Sequence, residues 1–283
     1  MSQGLEQQTS PATAADLIPV ALGVALFAWW LLSTSLGRKA LAGSKPRRNS
    51  MIFLLPFLVF FLWLLSTYTL GAFAGLLAAG LDDWKAAFLG NLLSTCGSLA
   101  TIVFVLIVAK VSFARGLKGF GLRWRTIPKD MAHAFLTLAA VWPLVMAMLS
   151  LTILVMKHFN QSFQLPQHEA LEVITESGSV ALQILMVVLA VLVAPLVEEL
   201  MFRGMFQSMI RSYLGRPWLA IAITSILFAA IHTNSEHWPA LFILAMGLGY
   251  SYEKSGSLLR PIFMHAMFNG VTIVATLVDS RMA

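Results

Sequence analysis

The sequence predicts an all-α, polytopic integral membrane protein, and three observations predict it. Hydrophobic residues make up 58% of the chain and charged residues 11%, with a mean hydropathy of +0.80, whereas about a quarter of a soluble domain is charged. The apolar residues fall in runs long enough to cross a hydrocarbon core of roughly 30 Å. Finally, 11 of the 19 Lys and Arg residues lie in two short loops between such runs. That is the pattern of the positive-inside rule, so the net charge of +6 is explained by topology and no nucleic-acid partner is expected. The single cysteine, Cys96, excludes an intrachain disulfide and a Cys-based zinc site.

Taken in order, residues 1–16 are polar and rich in Gln, Ser, Thr and Ala, a composition that predicts a disordered tail. Residues 17–36 form a first span. Glu6 and Asp16 precede it and Arg38 and Lys39 follow, the reverse of a secretory signal, so it is expected to stay as an anchor. The loop 37–50 carries Arg38, Lys39, Lys45, Arg47 and Arg48 and no acid, which places it in the cytoplasm and both termini outside. Spans near 51–79 and 86–109 follow. A second basic loop, 110–130, reads as an interfacial linker with Trp124 at headgroup level. Residues 132–156 return outward to an external loop, 157–178, whose Glu169, Glu172 and Glu176, with His158 and His168, are expected to be solvated. Residues 17–178 thus form an N-terminal region of four spans.

From residue 179 an apolar run continues to about Tyr213. Some 35 helical residues would be about 52 Å long, so the helix is expected to kink, tilt or emerge, with Pro195 the natural kink. Inside it stands Ala-Pro-Leu-Val-Glu-Glu-Leu-Met-Phe-Arg, residues 194–203. Ionisable groups at membrane depth are costly unless paired or hydrated, which makes a functional site the default reading. Glu199 and Arg203, at i and i+4, share a face and form an easy ion pair. Glu198 points about 100° away. A carboxylate without a fixed cation is the candidate general base. Two helices joined by the turn Leu214-Gly215-Arg216 return His232 to about the depth of Glu198, and the last span, 258–278, carries His265 about two turns in. Phe228 and His232, and His265 and Asn269, are each spaced i, i+4. A base, a water-holding partner and oxyanion donors are what peptide hydrolysis by activated water needs. The count is about eight transmembrane or half-membrane helices.

Glu-Glu-x-x-x-Arg at 198–203, Phe-x-x-x-His at 228–232 and His-x-x-x-Asn at 265–269 resemble, in that order, the three motifs of the CAAX prenyl protease and bacteriocin-processing family of intramembrane proteases. The resemblance implies a CAAX-protease-like catalytic core over 179–280 with a conical cavity open to the cytoplasm. It implies water activated by Glu198 with His232, an oxyanion held by His265 and Asn269, and support from Glu199, Arg203 and Phe228. No cofactor is called for on this reading. Two alternatives stand beside it: a zinc protease with His232, His265 and Glu198 as ligands, although no His-Glu-x-x-His helix is present, and a non-catalytic membrane immunity or binding protein of the same fold. The partners implied are the lipid bilayer and a peptide or protein substrate; lipidated and membrane-associated substrates are equally open.

Overall fold

The structure is a computed structural model that describes residues 14–167 and 169–282; most of the expected polar tail, and His168, lie outside the described residues. Helices account for nearly all of it: α1 Ala14–Ser33, α2 Leu55–Leu77, α3 Asp83–Ser112, α4 Gly116–Phe120, α5 Ile127–Phe159, α6 Glu169–Glu176, α7 Val180–Val188, α8 Ala194–Glu199, α9 Ser208–Leu214, α10 Pro217–Ala230, α11 Trp238–Ser255 and α12 Leu259–Met282. Among the described residues five helices are long and apolar enough to cross a membrane: Leu55–Leu77, Asp83–Ser112, Gly116–Phe159, Val180–Leu214 and Leu259–Val278; Ala21–Ser33 and Pro217–Ala230 are shorter apolar helices. Leu62 and Leu65 on α2, Val103 and Ile107 on α3, Leu154 on α5 and Val274 on α12 lie on the outside of the bundle. So wide an apolar exterior is a lipid-facing surface. The chain is an all-α polytopic membrane protein.

The 35-residue helix Val180–Leu214 starts at Ser179, whose hydroxyl accepts the Leu182 N–H. It absorbs Pro195 by a route the sequence did not suggest: the π-helical stretch Leu189–Val193 precedes it, and a second, Leu200–Gln207, follows α8. A proline lacks the N–H that would bond one turn back, and a wider turn relieves the clash of its ring. α2, α3, α10, α11 and α12 pack directly against this helix. α2 and α3 pair where Gly97 admits Ser66 and Thr67, and Trp63 donates to Ser98. The aromatic stack Phe60, Phe202, Phe206 and Phe228 then joins α2 to the long helix and to α10. On the other side α5, α11 and α12 share a core around Leu138, Leu244, Leu248 and Met264.

Two loops do more than expected. The basic loops meet in a short antiparallel bridge, Asn49 to Phe113. Trp124 is exposed as predicted, but the linker 110–130 is not merely interfacial: α4 drives Phe120 into the interior, against Gly204, where any Cβ would overlap the ring. Likewise 157–178 is not simply a solvated loop. It contains α6, whose Ile174 is buried against α7 and α12 while Glu172 and Glu176 stay exposed.

Candidate active site

Glu198 and Glu199 are adjacent on α8, so helical geometry sends them to different surroundings. Glu199 is fully buried. Its Oε1 accepts from the Arg203 guanidinium at 2.7 Å and from His265 Nδ1 at 3.0 Å. The expected ion pair is therefore one half of a three-residue link, because the same carboxylate oxygen also aims an imidazole. Arg203, itself buried, makes a second bond to the Ala245 carbonyl at 3.2 Å and lies with Cζ 4.6 Å from the centre of the Phe228 ring. That ring also touches both imidazoles, His232 at 5.0 Å and His265 at 5.7 Å between centroids. Phe228 is the apolar wall that fixes three polar side chains at once.

Glu198 faces a cavity of about 670 Å³ that is also lined by His232, His265 and Asn269. Its Oε2 is buried, has no hydrogen-bond partner, and stands 4.0 Å from His265 Nε2. This is too long for a direct hydrogen bond and suits two atoms that share one water. His232 Nδ1 lies 2.8 Å from the Phe228 carbonyl. A carbonyl only accepts, so Nδ1 carries the proton and the lone pair of the neutral ring is at Nε2. The same logic gives His265 a proton on the Nδ1 that faces Glu199. Asn269 donates to the Ala190 carbonyl at 2.7 Å, a group that the π-helical turn at Leu189–Val193 loosens from the helix ladder. One amide hydrogen is thus used between helices and a second remains for the cavity.

Among the described residues no group of three or more His, Cys, Asp or Glu side chains is placed to hold a metal ion; with Nδ1 on Glu199, His265 turns Nε2 toward Glu198.

Residues 180–271 match the family model described as Rce1-like, type II CAAX prenyl endopeptidase. The match covers about a third of the chain, and over this segment the chain is similar to that family. No curated protein and no solved structure matches the chain. The matched segment holds Glu198, Glu199, Arg203, Phe228, His232, His265 and Asn269, and all but Glu199, Arg203 and Phe228 reach the cavity wall. The matched segment is also anchored by residues that sequence reading passed over. Arg211 donates to buried Glu253 on α11 at 3.0 Å. Glu253 also lies 4.0 Å from Arg47 of the first basic loop, whose guanidinium covers the Tyr252 ring. The signal was present in the sequence: Glu199, Arg203, Gln207 and Arg211 are polar at every fourth position of one apolar helix.

The cavity is bounded by two loops as well as by helices. Its far wall is made by Leu165, Pro166 and Gln167 before α6 and by Thr233, Asn234 and His237 before α11. The two segments are bonded together, His237 to the Pro166 carbonyl at 2.9 Å and Asn234 to that of Gln167 at 3.3 Å. Those loops sit at the end of the bundle opposite to the basic loops, which cluster with Gly215, Tyr252 and Leu258.

Proposed function

We propose that this protein hydrolyses a peptide bond within the membrane, using a water held between Glu198 and His232, with His265 and Asn269 stabilising the oxyanion. The observation that carries this reading is the division of labour at Glu199: it takes both Arg203 and His265, and so leaves Glu198 Oε2 buried in the cavity without a hydrogen bond, 4.0 Å from His265 Nε2. Glu198 takes a proton from water as the oxygen bonds to the carbonyl carbon, and His232 Nε2 accepts from the second O–H. Negative charge then develops on the carbonyl oxygen. His265 donates to it from Nε2 when both ring nitrogens carry protons, with Glu199 receiving the other; Asn269 donates its remaining amide hydrogen. The C–N bond breaks as the proton on Glu198 passes to the leaving nitrogen, giving a carboxylic acid and an amine. No metal takes part in these steps. The substrate is a peptide or protein, and the mainly apolar cavity wall, with Met146, Leu149, Leu171, Leu241 and Phe268, suits a segment that enters from the bilayer.

The test is cleavage of a fluorogenic peptide panel by detergent-purified protein, wild type and Glu198→Gln, with and without chelator. Loss of about 10²–10⁴-fold in kcat is expected for the variant, with no effect of chelator. Chelator loss restored by zinc would replace this mechanism with the metalloprotease alternative. Full biological effect in Glu198→Gln would favour the non-catalytic one.

A further inference from the structure

The long catalytic helix and α11 run in the same direction and are joined by three polar rungs. Arg203 donates to the Ala245 carbonyl at 3.2 Å, Gln207 Nε2 donates to the Gly249 carbonyl at 3.0 Å, and Arg211 Nε donates to the Glu253 carboxylate at 3.0 Å. Each rung is four residues beyond the last on both helices, an offset of 42 throughout. In an α-helix residues four apart drift around the axis by about 40°. The π-helical stretch Leu200–Gln207, with more residues per turn, keeps them more nearly in line. The first rung belongs to the site, because Arg203 holds Glu199 and Glu199 holds His265.

We infer that Gln207 is a positioning residue of the active site: its bond to Gly249 sets the register in which Arg203 presents Glu199 to His265. Two features separate it from ordinary packing. Gln207 is buried, and its Oε1 has no hydrogen-bond partner. An apolar side chain of equal length would avoid that cost, so the amide contributes through its donor. Position 249 is matched to it: a Cβ there would lie 2.8 Å from Gln207 Oε1 and 2.9 Å from Ile221 Cγ2, so a larger residue must push aside the Gln207 amide itself or the helix that carries it. The rung at Arg211 and Glu253, gripped from the first basic loop by Arg47, ties that loop to the same register.

This inference rests on the catalytic reading above, and its test is read in two ways so that the two can fail separately. Gln207→Met removes the donor at constant length; Gly249→Ala keeps the donor and pushes aside the amide or the helix that carries it. In the peptide assay each is expected to lower kcat by about ten- to a hundredfold with KM within twofold, the cost of a displacement of about 1 Å at a catalytic group. In protein labelled with ¹⁵N-histidine, the downfield Nδ1 proton of His265, assigned by its loss in His265→Gln, is expected to shift or broaden in both variants. Wild-type kcat together with an unchanged His265 proton in either folded variant would overturn the inference. A shifted proton in a protein whose cleavage also survives Glu198→Gln would uphold the positioning role and refute the catalytic assignment.

Discussion

Removal of Arg203 is the sharpest test of how the site is held. The guanidinium is 1% exposed and its carboxylate partner 0%, so neither charge has access to solvent. Arg203→Met fills the same space but leaves Glu199 buried with only His265 as partner, and removes the bond to Ala245 and the contact with Phe228. Breaking one side of a buried ion pair costs about 3–5 kcal/mol, most of it the penalty of the stranded charge. At about 2–4 °C per kcal/mol for a chain of this size, the unfolding midpoint falls by roughly 6–20 °C. The double variant Glu199→Gln/Arg203→Met has no stranded charge, and its amide oxygen still accepts from His265. It is expected to recover most of the lost stability while cleavage stays impaired. Thermal unfolding in detergent, followed by tryptophan fluorescence beside the peptide assay, measures both. An Arg203→Met midpoint within 2 °C of wild type, or a double variant no more stable than Arg203→Met, would refute the argument that this pair is a desolvated strut.

Gly204→Ala places a methyl group inside the ring of Phe120 and is expected to cost about 1–3 kcal/mol through overpacking; Phe120→Leu in the same protein should return part of the loss in the unfolding midpoint. Asn269→Leu strands the Ala190 carbonyl, at about 1–3 kcal/mol, and also removes an oxyanion donor. Its kcat per folded molecule is expected to fall about 10²–10³-fold, whereas a role confined to the interhelical bond would move the midpoint alone. With Cys96→Ala as background, Ser235→Cys beside the cavity and Lys45→Cys in the basic loop are expected to react with a membrane-impermeant maleimide from opposite sides of the membrane; equal labelling of both in intact cells would contradict the bundle described here.

The membrane class was legible because burial in lipid leaves its mark on composition and run length, which need no knowledge of packing. The charged motif was legible for the converse reason: two carboxylates and a guanidinium have no place in hydrocarbon unless something uses them. What escaped was whatever depends on register between helices. Nothing within Gly-Leu-Lys-Gly-Phe announces that Phe120 will fill the gap left by Gly204, or that Gln207 will reach the carbonyl of Gly249. The second role of Glu199 belongs here too, since spacing on one helix identifies Arg203 but not an imidazole arriving from α12.

The position of the cavity shows how the same limit affects topology. Loop charge orients a chain relative to the membrane, whereas depth along a helix gives only the distance from its end. Glu199 is 15 residues from the end of α9 at Leu214, about 22 Å along the axis, so the turn with Arg211 and Arg216 is the remote end. Several basic residues at this end are engaged inside the fold, Arg47 and Arg211 on Glu253 and Arg260 on Asp130. They hold the ends of α11 and α12 at the proper height for Ala245 and His265, so the charge at this end serves the geometry of the site whichever face of the membrane it occupies.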